Sequence, residues 1–401
     1  MNSNSPADAA DVLVDGCKHV ETPAELTARL GRGRPLRVKF GIDPTGSDLH
    51  LGHAVVLHKM QQFVELGHDV TLLIGDSTAL IGDPSGRNDS RPPLTREQIE
   101  ANFQTYEEQA GKILDLSRVT VRRNSEWLNR LDYAALIRLM TQTTVAQMLG
   151  REDFRKRFES QTPIALHEFL YPVAQAYDSI ALNSDVELGG DDQLFNFLLA
   201  RSYQQNAGQL PQICMTLPIL EGTDGVVRMG KSRGNYVALS EPPSAQFGKV
   251  MSIPDELIAR WARLADFRPE AECTALAREI AGGTRTAMAE KKALAEAIVT
   301  RYHGSAAARA ARDYFERTIQ RKEIPAQMPE LPRDGHEKVV DLLVAAKFAE
   351  SRRAAERLIA GGGVKIDGVV VLDPKAAWTA RVPAVLQSGS RRFVRVMPSE
   401  R

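Results

Sequence analysis

The chain has 401 residues, 43% of them hydrophobic and 25% charged, with 51 Lys and Arg balanced by 51 Asp and Glu. This composition excludes a disordered chain, a collagen-like repeat and a uniformly basic tail, and the length provides for two or three domains with cores of their own. Cys17, Cys214 and Cys273 lie far apart, so they form neither a disulfide framework nor a short-spaced metal knuckle, which points to a reducing, cytoplasmic compartment.

Read in chain order, the sequence predicts a strand over Leu36–Ile42, a helix from about Gly52 to Leu66, a strand over Val70–Ile74, and helical stretches through 97–150. A helix near Leu166–Asp178, a short strand Val186–Leu188, a helix from Asp191 and a strand around Gln212–Leu217 follow. Strand and helix alternating at this spacing predict an α/β fold, a doubly wound parallel sheet with a helical insertion over residues 1–240. From 241 to 323 the text turns to Ala, Arg, Glu and Leu at helical period, predicting a separate helical domain. The segment 324–335 carries prolines at 325, 329 and 332 and reads as a linker. Residues 336–401 hold twelve Lys/Arg against seven Asp/Glu, so a basic module with a surplus of five follows a body with the opposite imbalance. The N-terminus has no signal-peptide or transit character, and no apolar run reaches the roughly 18 residues of a membrane helix, so no membrane partner is expected.

The chemistry concentrates in three segments. In Phe40-Gly-Ile-Asp-Pro-Thr-Gly-Ser-Asp-Leu-His-Leu-Gly-His53 a strand gives way to a loop and then a helix. In a doubly wound sheet that junction is a ligand position, and a helix start offers free N–H groups to phosphate. His50 and His53 sit at that opening; half a metal site and ordinary packing histidines are the competing readings, and no third ligand stands nearby. Gly225 to Ser232 satisfies G-x-x-x-x-G-K-S, but the flanking text is neither a buried strand nor a helix. A mobile basic loop carrying Arg228 and Lys231 to a polyphosphate fits better, an ordinary turn being the alternative. Tyr171, Gln175 and Asp178 fall at i, i+4 and i+7, one face of one helix.

Taken together, D-P-T…H-L-G-H and the later R-M-G-K-S resemble the HIGH and KMSKS signatures of class I aminoacyl-tRNA synthetases. With Tyr171-Pro-Val-Ala-Gln-Ala-Tyr-Asp178 and Glu187-Leu-Gly-Gly-Asp-Asp-Gln193 between them, the chain is similar to tyrosyl-tRNA synthetases of the bacterial type along essentially its whole length. The tail, with Ser351-Arg-Arg-Ala-Ala-Glu-Arg-Leu-Ile359 and Gly363-Val-Lys-Ile-Asp-Gly368, resembles an S4-type RNA-binding domain.

The resemblance implies a Rossmann-like catalytic domain, a helical tRNA-binding domain and a small α+β S4-like domain. It implies ATP-dependent attachment of tyrosine to tRNA(Tyr) through tyrosyl-adenylate, with release of pyrophosphate and then AMP. Neither step needs a protein nucleophile, so catalysis rests on in-line positioning and on stabilising phosphate charge. By motif match, Thr45, His50, His53, Arg228, Lys231 and Ser232 are the expected catalytic residues. Gly41, Asp43, Gly52, Gly190, Asp192 and Gln193 join Lys231 around ATP. Lys39, Thr78, Asp83, Tyr171, Gln175 and Asp178 are expected around tyrosine, with Asp178 accepting from the phenol. Arg352, Arg353, Arg357, Arg391, Arg392 and Arg395 are expected on RNA. ATP would come with Mg2+, no metal would be held by the protein, and the chain would be a cytoplasmic homodimer.

Three positions depart from the family pattern. Lys39 stands where a tyrosine is usual, so it is either a second phenol partner or a structural residue. Arg228 and Gly230 replace the usual first lysine and serine of the loop, changing a point donor to a fork and adding backbone freedom. Tryptophanyl-tRNA synthetase shares the fold and both signatures, and the Tyr171/Gln175/Asp178 set distinguishes the two. The reading from another class is an RNA-binding protein that has lost catalysis, which the retained histidines and Lys231 oppose.

Overall fold

The computed structural model describes residues 5–85, 94–321, 328–333, 337–378, 382–389 and 392–398, the Ser232 side chain excepted. The chain divides into two compact units, one formed by residues up to 242 with 249–298, the other by 243–248 with 299 onward.

The first unit is built on a six-stranded sheet: β1 (His19–Glu21), β2 (Arg37–Ile42), β3 (Asp69–Ile74), β4 (Val119–Arg123), β5 (Val186–Gly190) and β6 (Ile213–Leu217). The spatial order is β1-β6-β5-β2-β3-β4. Strands β2 to β6 run parallel, and their Val, Ile and Leu side chains, such as Val38, Leu72, Val186 and Ile213, are buried, as expected of a parallel sheet covered on both sides. The chain builds outward from β2 through β3 to β4, then returns to β5 and builds the other way through β6. The carboxyl ends of β2 and β5 therefore flank the topological switch point, where open α/β sheets bind ligands.

Two strands of this sheet escape the sequence reading. β4 lies in the stretch expected to be helical; Val-Thr-Val is strand text, but Arg122 and Arg123 and its short length hide it. β1 is three residues long and pairs antiparallel with β6, adding an antiparallel edge to a sheet expected to be parallel. The helix Leu51–Glu65 packs on β2, β3 and β5, burying Leu51, Leu57, Met60, Phe63 and Val64 at helical spacing. The helices Leu170–Leu182 and Leu194–Asn206 pack on each other, and the first ends where Asn183 turns left-handed at φ 47°, a conformation asparagine tolerates at a helix end.

The stretch 241–323 is helical: Pro243–Met251, Ile258–Leu264, Glu270–Ala281, Ala287–His303 and Ser305–Phe315 are α-helices, with no strand among its described residues. The division into units passes through this stretch.

In the second unit β7 (Glu330–Arg333), β9 (Val364–Ile366), β10 (Val369–Val370), β12 (Ala384–Ser388) and β13 (Arg392–Pro398) form a sheet, while β8 (Glu337–Lys338) pairs with β11 (Ala377–Trp378). β7 lies inside the segment expected as a linker, so that expectation is corrected for residues 330–333; residues 324–327, 334 and 335 fall outside the described set. β7 is one of the two edge strands and runs parallel to β13, with Arg395 N donating to Pro329 O at 2.9 Å. An edge strand tolerates Pro329 and Pro332, because one side of its backbone needs no partner. The helices Val339–Ala345 and Arg352–Ala360 supply Leu342, Leu343 and Ile359 to a core completed by Trp378, Leu386 and Val396.

Candidate active site

A cavity of about 980 Å³ opens at the switch point, walled by the ends of β2 and β5, the start of the helix Leu51–Glu65 and the loop holding Arg228 to Lys231. It brings together residues from all three groups expected around tyrosine, ATP and the phosphates.

At the first, His50 caps the helix Leu51–Glu65. Its Nδ1 accepts from Gly52 N at 3.2 Å while His53 Nδ1 accepts from His50 N at 3.1 Å, a reciprocal cap in which imidazoles take the roles usual for Ser and Glu. The ring centroids are 3.8 Å apart. Burial, then the charges of Lys231 and Arg228, push the His50 imidazolium down to about 3, and burial with His50 and Lys231 holds His53 well below its ordinary value. Both rings are therefore neutral near pH 7. Because each Nδ1 accepts a backbone hydrogen bond, each proton is assigned to Nε2, leaving two N–H donors for an incoming oxygen. A Cβ at Gly52 would lie 3.0 Å from the His50 ring, so the glycine is what lets the ring fold over the helix start.

Lys231 opens the short 3₁₀ turn Lys231–Arg233. Its Nζ donates to Gly46 O at 2.9 Å and to Tyr106 OH at 3.3 Å, with the Tyr106 ring centroid 5.5 Å away. Arg228 pairs with Asp192 and donates to Ser85 O at 3.1 Å. Thr45 lines the same wall. The Ser232 side chain lies outside the described residues.

In the second region β5 ends in Gly189 and Gly190. A Cβ on Gly189 would meet Phe197 at 2.7 Å and one on Gly190 would meet Asp192 Oδ1 at 2.8 Å, so side chains at either position would obstruct this rim. Burial raises the Asp192 carboxyl and Arg228 opposes the rise. Gln193 Nε2 donates to Asp83 Oδ2 at 2.9 Å. Gly41 and Gly52 line the cavity wall as well.

The third region lies along the helix Leu170–Leu182. Tyr171, Gln175 and Asp178 face it from one helix, as their spacing requires. Tyr171 OH donates to Asp43 Oδ2 at 3.0 Å, and Thr78 Oγ1 donates to Asp43 Oδ1 at 2.8 Å, so Asp43, expected with the ATP residues, is bonded to two residues expected around tyrosine. Asp178 is 3% exposed; it accepts from Trp127 Nε1 at 2.7 Å and Asn124 Nδ2 at 3.3 Å. Burial raises its carboxyl to about 7, against the pull of Lys39 and these two donors. Two donors leave a carboxylate with lone pairs for a further O–H. Lys39 is buried with its Nζ 3.0 Å from Glu187 Oε1 and 3.4 Å from Gln175 O. Glu187 also accepts from Gln175 Nε2, Ser179 Oγ and Gln212 Nε2.

The sequence reading did not single out Asn124, Trp127, Arg151 or Asn196. Asn124 and Trp127 follow β4, the strand the reading overlooked; had it been recognised, a polar residue just past its carboxyl end would have been a candidate. The arginines expected on RNA sit in the second unit. Arg353 and Arg357 are exposed on one helix, Arg352 is paired with Asp341 at 2.6 Å, Arg392 donates to Phe348 O at 2.5 Å, and Arg395 lies in β13. Arg391 falls outside the described residues.

Among the described residues no three His, Cys, Asp or Glu side chains group as a metal site, and no helix is long and apolar enough to cross a membrane.

The family described as tRNA synthetases class I (W and Y) matches residues 31–320, and the S4 domain matches 337–376. A Thermotoga maritima protein named tyrosine--tRNA ligase is 48% identical over 396 residues, covering 99% of both chains. A Shewanella oneidensis protein of the same name is 46% identical, covering 97% of this chain and 99% of its own. The crystal structure of the Archaeoglobus fulgidus tyrosyl-tRNA synthetase complexed with L-tyrosine superposes with a TM-score of 0.63 at 23% identity, covering 77% of this chain and 99% of that one; at that identity it speaks to the fold.

Proposed function

The chain belongs to the class I tRNA synthetases of the W and Y family and carries an S4 domain, and we propose that the cavity at its switch point is where tyrosine meets ATP. The chain is a tyrosine--tRNA ligase, charging tRNA with tyrosine, and its family uses ATP. The finer reading is which residues do this.

The observation that carries it is Asp178, a buried carboxylate in the cavity lining with two donors and lone pairs for one more. A tyrosine entering there would give it a phenol O–H. Phenylalanine would leave it unpaired, which is the asymmetry by which hydrogen-bonding pockets reject an analogue lacking the group; tyrosyl-tRNA synthetase is itself the standard example of this effect. The substrate ammonium would sit among Tyr171, Gln175 and Asp83, with Thr78 and Asp43 behind them. Lys39, bonded to Glu187 and to the Gln175 carbonyl, supports that wall from beneath.

The amino-acid carboxylate would then attack the α-phosphorus of ATP as the bond to pyrophosphate breaks. Neutral His50 and His53 would donate Nε2–H to the phosphates, with Thr45 beside them, while Lys231 and Arg228 would neutralise the departing pyrophosphate. Ser232 belongs to the same loop. Asp192 would take the ribose hydroxyls, with Gly41, Gly52, Gly190 and Gln193 leaving space for the adenosine. In the second step a terminal ribose hydroxyl of tRNA would attack the adenylate carbonyl and release AMP. Mg2+ would arrive on the polyphosphate of ATP; among the described residues no three His, Cys, Asp or Glu side chains group as a metal site.

The basic C-terminal module would hold tRNA(Tyr) through phosphate contacts from Arg353, Arg357 and Arg395. Action as a homodimer in the cytoplasm completes the reading. Amino-acid-dependent exchange of pyrophosphate into ATP, run across the twenty amino acids, tests the site: exchange should require tyrosine, and exchange with another amino acid alone would overturn the assignment of Asp178.

A further inference from the structure

Asn196 is fully buried on the helix Leu194–Asn206, behind the cavity wall, and each half of its amide is used. Nδ2 donates to Gln175 Oε1 at 2.9 Å and to Gln193 Oε1 at 3.0 Å. Oδ1 accepts from Arg151 Nη1 at 3.1 Å. Arg151, itself buried, reaches Ser85 Oγ at 2.5 Å and Asp153 at 2.8 Å.

The two glutamines belong to different regions of the cavity. Gln175 lies on the helix of Tyr171 and Asp178, Gln193 in the 3₁₀ turn that follows β5. A glutamine amide has two ends of similar shape and opposite hydrogen-bonding sense. By donating to both oxygens, Asn196 fixes both senses: Gln175 must send Nε2 to Glu187 at 3.0 Å, and Gln193 must send Nε2 to Asp83 at 2.9 Å. Turning either amide would set one NH2 group against another at Asn196 and an oxygen against a carboxylate at its far end.

We propose that Asn196 is a positioning residue that couples the two halves of the cavity, so that tyrosine bound beside Gln175 prepares Gln193 for the nucleotide, and the reverse. The inference rests on the placement of tyrosine and ATP given above. Both amides share one donor group, so a ligand that stills Gln175 also stills Asn196, and the second ligand meets a Gln193 that has less freedom left to lose. Coupling of this kind is reciprocal: each substrate tightens the other by the same factor.

The test uses the full-length protein. N196D keeps the size of the side chain and an acceptor for Arg151 but replaces the two N–H donors with oxygen. Two hydrogen bonds, each worth about threefold to tenfold, are lost, so KM for tyrosine and KM for ATP should each rise by roughly fivefold. Tyrosine affinity, measured with and without a nonhydrolysable ATP analogue, should differ in the wild type and become equal in N196D. The tyrosine-to-phenylalanine preference should hold, because Asp178 is outside this network. N196A is then combined with Q175A and with Q193A. Its effect on tyrosine should shrink below about twofold in Q175A while its effect on ATP persists, and the pattern should reverse in Q193A. A merely structural role would give full, additive losses in both backgrounds, and that result overturns the proposal, as does unchanged kinetics. If neither Asn196 variant folds, the Q175A–Q193A pair decides: additive effects on the two substrates overturn the coupling. Wild-type exchange with tyrosine, run in parallel, keeps failure of the site assignment distinct from failure of the coupling.

Discussion

Asp178→Asn should move stability and specificity in opposite directions. Burial lifts the Asp178 carboxyl from the ordinary 3.8 to about 7, which means that its ionised form costs the fold about 4 kcal/mol above pH 7. The folded-state value is the higher one, so the folded protein holds the proton more tightly than the unfolded chain. Stability therefore falls as pH rises from about 4 through about 7 and is level beyond. Asparagine carries no charge and escapes this cost. It keeps the Trp127 indole as a donor to its carbonyl but turns its own NH2 toward that of Asn124, a loss of roughly 1 kcal/mol or more. The net expectation is a variant more stable by about 2 kcal/mol at pH 8, with a gain that shrinks toward pH 5. The phenol, meanwhile, exchanges a charged acceptor for a neutral one. Charged hydrogen bonds exceed neutral ones by roughly 1–1.5 kcal/mol, or about tenfold in the ratio of kcat/KM for tyrosine over phenylalanine. Urea unfolding at pH 8 and pH 5, with pyrophosphate exchange on both amino acids, measures both sides. A variant less stable at pH 8 and no less selective would refute the reasoning.

Lys231→Ala should slow adenylate formation by roughly two to three orders of magnitude, as for loss of a transition-state charge donor, with little change in tyrosine affinity; an equal loss in tyrosine binding would show that the loop does not serve the phosphates. Since His50 and His53 are held neutral by burial, their contribution to stability is complete above about pH 6.5 and is lost as pH falls below it, because the unfolded imidazoles take up protons first. His50→Gln should flatten the acid side of a stability–pH curve, and a slope identical to wild type would refute the assignment of neutral rings. Ending the chain after Arg321 removes β7 with the basic module and leaves every residue assigned to ATP and tyrosine. Exchange should stay near wild type while tRNA charging falls and the remaining RNA binding shows a shallower salt dependence; unimpaired charging at physiological salt would remove the tail from the RNA site.

The legible part of the cavity lining is the part that sits in motifs whose spacing is local. His50 and His53 share one helix turn, and Tyr171, Gln175 and Asp178 share one helix face. What was not legible depends on contacts between distant segments. Asn124 and Trp127 meet Asp178 only because β4 joins the sheet beside β3, and β4 was hidden by its charged end. Lys39 has two readings in the sequence because its partner, Glu187, lies in register with it on the neighbouring strand, 148 residues further along the chain. β7 was hidden for the opposite reason: prolines, read as breakers, are admissible on an edge, and only the completed sheet reveals which strand is the edge.

The pairing of Arg228 with Asp192 places an ion pair made by the protein itself in the cavity wall. If Asp192 is the ribose partner, ATP does not simply add to an open site; its sugar substitutes for a guanidinium, one set of hydrogen bonds leaving as another forms. A bare polyphosphate has no hydroxyls with which to make that substitution and meets an arginine that is still held by Asp192. A nucleoside triphosphate would release the arginine with one end of the molecule and receive it at the other. On that placement the same carboxylate would check that a sugar is present before the loop's charge is made available to the phosphates.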